Sequence, residues 1–229
     1  MKLLFISGAG SGGAGWVHQI EYFAGSEVVV LPGHPEGKPY SSIDDYVEWL
    51  QGYIHQQCYQ DIVLVGHSMG GAIAQLYELR YGEEMKALVL IGSGARLRVL
   101  PARLTQVKEM ITDEVAWKEY LVDEYSHIEP GARQTLIEEG VRIGPAVALN
   151  DYLCCDTFDI MDKVHLIKLP TLVICGSADD RTPVKYTEYL ADKIEGATRV
   201  IIEGASHWVH LDKPGEVNQA IEDFLVRLG

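Results

Sequence analysis

Three residues that could together perform nucleophilic catalysis lie far apart in this sequence: a serine, an aspartate and a histidine. Ser68 lies in the pentapeptide GHSMG, which fits the pattern G-x-S-x-G. Asp179 or Asp180 and later His207 follow apolar runs nearer the C-terminus. A serine hydroxyl becomes a good nucleophile when an imidazole accepts its proton and a carboxylate orients that imidazole. The chain order serine, acid, histidine is one of the orders in which this constellation occurs.

The residues around Ser68 predict the strand, turn and helix that such a serine requires. Ile62 to Val65 is a short apolar run typical of a buried parallel strand, and Ala72 to Leu79 has a helical pattern. The flanking glycines would let the backbone fold closely around a strained residue. The turn would then place the Met69 N–H at the start of a helix, where developing negative charge is favoured. This context argues against a chance match of the pentapeptide.

A glycine-rich loop, Gly8 to Gly15, follows a first predicted strand at Lys2 to Ser7. Its spacing also fits G-x-G-x-x-G, which could indicate a dinucleotide or phosphate site. No acidic residue ends the second predicted strand at Glu27 to Leu31, so this alternative is weak. A backbone rich in glycine can instead approach a substrate carbonyl closely, as an oxyanion loop must.

Composition and charge limit the classes of function. The chain has 229 residues, of which 47% are hydrophobic and 23% charged, as expected for one globular domain. Lys and Arg total 19 against 33 Asp and Glu, a formal charge of −14, which argues against nucleic acid or an anionic membrane as a partner. No apolar run approaches the ~20 residues of a membrane span. The four cysteines show no C-x-x-C or zinc spacing, so we expect a reducing, cytoplasmic setting.

The pattern changes between about Leu100 and Lys163, where helical segments dominate and no strand-like run occurs. Strand patterns resume at Thr171 to Cys175 and at Thr198 to Ile202. The candidate acids and His207 follow these two strands. Ends of parallel strands are where α/β proteins build their sites.

Together these motifs resemble the α/β-hydrolase superfamily, in particular its small carboxylesterase and lipase-like branch with G-H-S-M-G-G. The resemblance covers the whole chain, with its specific motifs at 3–16, 62–79 and 171–214. It implies the α/β class and the α/β-hydrolase fold, with about six parallel strands flanked by helices. It also implies a helical cap at 100–163, inserted after the fourth strand into a core formed by 1–99 and 164–229.

The resemblance further implies roles for individual residues. Ser68 would be the nucleophile and His207 the base. The family pattern G-x-x-D-x-x-x-P, here Gly176 to Pro183, makes Asp179 the favoured acid and Asp180 the competing one.

The same resemblance implies an oxyanion hole. Ser7-Gly8-Ala9, with Trp16 downstream, occupies the position of the family's His-Gly and its N–H donor. Ala9 and Met69 would therefore donate to the oxyanion. Gly10 is the alternative to Ala9, because the family's histidine is missing here. His34 and His210 are expected to have structural roles.

The implied function is hydrolysis of carboxylic esters of small to medium acyl chain through an acyl-enzyme intermediate. It requires no metal or organic cofactor, and its only expected partner is a small-molecule ester. A serine nucleophile argues against the dehalogenase and epoxide hydrolase branches, which use aspartate. Hydrolysis of a lactone or a C–C bond on the same residues stays open, as does a ligand-binding, receptor-like protein. The sequence carries no indication of the oligomeric state.

Overall fold

A computed structural model describes all 229 residues, with six parallel strands in one sheet. The order of strands across the sheet is β2-β1-β3-β4-β5-β6, and every neighbouring pair is parallel. The strands are β1 (Lys2–Ile6), β2 (Glu27–Val29), β3 (Ile62–His67), β4 (Met85–Ile91), β5 (Thr171–Gly176) and β6 (Thr198–Ile202). The predicted α/β class and the six parallel strands are confirmed.

Ten α-helices connect and cover these strands. They are α1 (Val17–Tyr22), α2 (Ile43–Gln56), α3 (Met69–Tyr81), α4 (Pro101–Glu109), α5 (Glu114–Glu124), α6 (Pro130–Ile143), α7 (Pro145–Thr157), α8 (Val184–Lys193), α9 (Val209–Asp212) and α10 (Pro214–Val226). Proline is the first residue of α4, α6, α7 and α10, where its missing N–H costs no hydrogen bond. None of the helices has both the length and the apolar character needed to cross a membrane.

The hydrophobic core lies on both faces of the sheet. Alternate residues of β1 illustrate this: Leu4 packs in a cluster with α2 and α3, and Phe5 packs in a second cluster with α10. Every residue of β3 and β5 is buried, as expected for parallel strands covered on both faces. The sheet is therefore a rigid base for the loops at its carboxyl edge.

Four helices, α4 to α7, lie between β4 and β5 in the sequence, and we refer to Pro101–Thr157 as the α4–α7 segment. It contains a third hydrophobic cluster, which includes Trp117, Leu121 and Leu136 and extends to Trp208 after β6. The helical content of this part of the chain matches the expectation. The division into a core at 1–99 and 164–229 and a cap at 100–163 stays a prediction.

The turn between β3 and α3 holds a residue in an unfavourable backbone conformation. Ser68 has φ 51° and ψ −113°. Its N–H donates to the Ile91 carbonyl at 2.9 Å, and Ser93 Oγ donates to the Ser68 carbonyl at 2.9 Å, so the end of β4 and the loop after it fix the turn on both sides. A Cβ at Gly66 would overlap the backbone of Gly70, which explains the first glycine of the pentapeptide.

We expect Gly66→Ala to lower the free energy of unfolding by more than about 3 kcal/mol, because the new methyl group meets backbone that cannot move aside. Gly52→Ala is the matched control. Gly52 is an exposed helical residue with open space around its Cβ position, so this change should raise the free energy by about 0.5–1 kcal/mol. Denaturant titration of both variants is the measurement. Wild-type stability in Gly66→Ala would contradict the described turn.

Candidate active site

The carboxyl ends of β3, β5 and β6 bring Ser68, Asp179 and His207 to one edge of the sheet. Ser68 and His207 line the same cavity, which has a volume of about 320 Å³ and is also lined by Ala9. Asp179 is buried beside His207. The three residues are distant in sequence and adjacent here because their strands are parallel.

Asp179 is the carboxylate that pairs with His207. His207 Nδ1 lies 2.9 Å from Asp179 Oδ2, and Thr182 Oγ1 donates to the same oxygen at 2.7 Å. The other oxygen accepts the N–H groups of Arg181 and Thr182 at 2.9 and 2.8 Å. Burial raises the pKa of Asp179, but the hydrogen bond and charge of His207, with the bonds from Thr182, outweigh burial and lower it. Asp180, the competing residue, is exposed and makes no bond to His207.

An ionised carboxylate accepts but cannot donate, so His207 Nδ1 must carry a proton. In the neutral imidazole Nε2 is then free to accept a proton from a neighbour. The imidazole of His207 makes its hydrogen bonds through Nδ1 and none to Ser68 Oγ in this structure, although both residues line the cavity. Bonds of this kind are often long in a free enzyme and shorten when substrate binds.

The backbone N–H groups near Ser68 differ in whether they already donate a hydrogen bond within the protein. Met69 is the first residue of α3, so its N–H has no acceptor within the helix. The Ala9 N–H has no acceptor in the structure either. The Gly10 N–H, in contrast, donates to Asp151 Oδ2 at 2.9 Å. The geometry therefore favours Ala9 over Gly10 as a donor to an oxyanion, a role that stays a prediction.

Two carboxylates of the α4–α7 segment hold the glycine-rich loop. Asp151 on α7 bonds the Gly10 N–H, and Glu139 on α6 accepts the N–H groups of Gly12 at 3.0 Å and Ala14 at 3.1 Å. The loop conformation thus depends on residues more than a hundred positions away. Sequence reasoning missed both acids.

Asp151 also forms a fully buried pair with His34, whose Nε2 lies 2.7 Å from Asp151 Oδ2. Burial lowers the pKa of His34, but the hydrogen bond and charge of Asp151 outweigh it, and the net shift is upward. The structural role expected for His34 therefore includes a bond to the acid that holds Gly10. A sequence signal did exist, since Ala148, Asp151 and Cys155 form one helical stripe that contains a single acid.

Two further histidines are buried behind His207. His67 Nε2 donates to the His207 carbonyl at 3.0 Å and so helps to fix the position of His207. The rings of His67 and His210 are 4.5 Å apart. Burial, reinforced by the neighbouring histidines, lowers the pKa of His67 well below its ordinary value and that of His210 to about 3. No cluster of three or more His, Cys, Asp or Glu that could hold a metal ion is present.

Because His210 is buried in its neutral form, we expect the free energy of unfolding to depend on pH. The unfolded chain binds a proton here below pH 6.5, whereas the folded chain excludes it down to about 3. Stability should therefore fall on acidification, and His210 should contribute about 2 kcal/mol to the loss between pH 7 and 5. The raised pKa of His34 has the opposite effect on the pH dependence of stability. His34 is present in both the wild type and the His210→Gln variant, so its effect cancels in their comparison.

We expect His210→Gln to reduce the difference in unfolding free energy between pH 7 and pH 5 by about 2 kcal/mol, measured by urea titration at both values. His165→Gln removes an exposed histidine and should leave the difference unchanged. An equal pH dependence in wild type and His210→Gln would show that His210 does not resist protonation.

Comparison with known proteins shows the family to which the chain belongs. The sequence model of the alpha/beta hydrolase family matches residues 3–220. A proposed esterase/lipase of Mycoplasma pneumoniae is 32% identical, covering 98% of this chain and 88% of its own length. The (E)-2-((N-methylformamido)methylene)succinate hydrolase of Acinetobacter baylyi is 27% identical, with coverage of 97% and 89%.

The solved structure of a thermophilic esterase is also similar, with a TM-score of 0.82, 32% identity, and coverage of 99% of this chain and 90% of that one. The likeness in sequence and in structure thus extends over nearly the whole chain. Because the family match includes the strand ends that carry Ser68, Asp179 and His207, this protein belongs to the α/β-hydrolase family and is a hydrolase.

Proposed function

We propose that this hydrolase cleaves carboxylic esters of small to medium acyl chain through an acyl-enzyme intermediate. Ser68 is the nucleophile, His207 the general base and Asp179 the residue that orients His207. The observation that carries the proposal is the buried Asp179–His207 pair, which shares a cavity edge with a serine on a strained turn. A buried Asp–His pair beside such a serine favours a protein that turns over its substrate, as opposed to one that only binds a ligand.

In the proposed reaction Ser68 Oγ attacks the ester carbonyl while His207 Nε2 accepts its proton. Asp179 keeps the Nδ1 proton in place and stabilises the imidazolium. The negative charge on the carbonyl oxygen is bound by the N–H groups of Ala9 and Met69. Losing one such donor typically costs ~10²–10³ in turnover. His207 then donates this proton to the departing alcohol, and the acyl group stays on Ser68 Oγ. Water attacks the acyl group in the same way, with His207 as base, and the carboxylic acid is released.

The size of the cavity supports small and medium substrates, because about 320 Å³ lies at the lower end of the range for small-molecule sites. We propose that the segment at 100–163 acts as the cap over a core of 1–99 and 164–229. Tyr152 and Cys155 of this segment line the cavity beside Ser68. The four unpaired thiols support the reducing, cytoplasmic setting expected from the sequence.

We expect Ser68→Ala to lower the turnover of p-nitrophenyl acetate and butyrate by at least about 10⁴-fold, because the nucleophile is lost while the cavity remains. In the wild type, octanoate should react more slowly than butyrate. Ser41→Ala removes an exposed hydroxyl elsewhere and should keep wild-type rates. Rates are measured from p-nitrophenolate release.

Full activity in Ser68→Ala would move the nucleophile to another residue. A folded wild type that hydrolyses none of the three esters would rule out the ester proposal. Lactone hydrolysis, C–C hydrolysis and ligand binding would then be the alternative functions to test.

A further inference from the structure

The wall of the cavity carries a charge opposite to that of the chain. The whole protein has 33 acidic and 19 basic residues. The cavity has one acidic residue, Asp180, in its wall, together with four basic residues: Arg98, Arg103, Arg181 and Lys185. A cationic site in an anionic protein concentrates anions locally, since the field inside a cleft is set mainly by the charges that line it.

Two of these bases share a single carboxylate. Arg181 Nη2 donates to Glu124 Oε1 in a short hydrogen bond, and Arg103 Nη1 lies 3.6 Å from Glu124 Oε2. Trp208 Nε1 donates to Glu124 Oε1 at 3.0 Å. Burial raises the pKa of Glu124, but the charge of Arg181 and the bonds from Trp208 and Arg181 outweigh burial and lower it. With Glu124 ionised, two guanidinium groups and one carboxylate leave one positive charge without a partner.

Each arginine retains donors that the protein does not use. Arg103 Nη1 donates to Tyr120 Oη at 2.6 Å, while its Nε and Nη2 have no acceptor in the structure. Arg181 uses Nη2 on Glu124, while its Nε and Nη1 have none. A guanidinium group offers five N–H donors in a fixed plane, which matches a carboxylate through two parallel bonds. A partly buried charge is costly unless an anion pairs with it.

This cluster adjoins the proposed reacting groups. Arg181 is two residues after Asp179, and Trp208 follows His207 directly, so Glu124 joins both loops to the end of α5. Arg103 enters from the first turn of α4. Because Ser68 lines the same cavity as both arginines, one small molecule can contact the serine and the cluster together.

We propose that the preferred substrates are esters that carry a free carboxylate, such as half-esters of dicarboxylic acids, and that Arg103 and Arg181 bind this carboxylate. The inference rests on the proposed function and narrows its substrate class. The competing role for the arginines is purely structural, with Glu124 anchoring α5 to the two loops. Only the first role makes the charge of the substrate matter.

The kinetic test compares monomethyl and dimethyl esters of succinate, glutarate and adipate, which share a chain and differ in one charge. For at least one chain length, kcat/KM of the wild type for the monoester should exceed that for the diester by tenfold or more. Arg103→Gln should lower this ratio at least tenfold. The control Arg142→Gln removes an exposed arginine from α6, outside the cavity, and should keep the wild-type ratio. Equal rates for both esters in the wild type would overturn the proposal.

A binding test separates this inference from the ester proposal. Ser68→Ala is titrated calorimetrically with the same half-esters and diesters. Tighter binding of the half-ester, lost when Arg103→Gln is added, supports the carboxylate site even if no ester is turned over. Equal binding, or a preference that survives the loss of Arg103, overturns it. The comparison of the two esters needs no arginine variant, so equal binding overturns the proposal even if Arg103→Gln fails to fold.

Discussion

The unfavourable backbone of Ser68 is the constraint on which the rest of the structure depends. A non-glycine residue at φ 51° and ψ −113° costs about 1–3 kcal/mol and persists only where its surroundings impose it. Here the surroundings that impose it are Ile91 at the end of β4, Ser93 in the loop that follows, and the close approach of Gly66 to Gly70. The buried parallel sheet makes this possible, because both neighbours of the turn are fixed in position. The outcome is a hydroxyl that faces the cavity and a helix that begins directly behind it.

The features that could be predicted from the sequence are those determined by residues close together in the chain. The strand, turn and helix around Ser68 follow from an apolar run, two glycines and a helical pattern within eighteen residues, 62–79. The choice of Asp179 over Asp180 followed from the family pattern that 176–183 resembles, and the pairing of Asp179 with His207 agrees with it. The six parallel strands were implied by the resemblance, and the central strands β3 and β5 also carry a local signal, since each is a short apolar run buried on both faces of the sheet.

The features that sequence reasoning missed depend on contacts between distant residues. The Gly10 N–H meets an acid 141 positions later, and Arg181 meets Glu124 across 57 positions. The apolar neighbours of Asp151 on α7 could indicate its burial but not its partner, and Glu124 looks like any solvated charge until the fold places a donor against it. The ambiguity between Ala9 and Gly10 had the same origin, because only the engagement of one N–H by Asp151 distinguishes them.

The bonds of Asp151 have a consequence for how molecules enter and leave. A hinged rotation of the α4–α7 segment would separate Asp151 from the Gly10 N–H and from His34, and would strip Glu139 from its loop. Buried hydrogen-bonding groups would then lose their partners, which costs free energy. We therefore expect no lid-like swing of the whole segment. Substrate and product would instead enter and leave the cavity past its rim near Leu100, a residue that is 72% exposed. Product release then need not wait for a slow collective motion of the μs–ms kind.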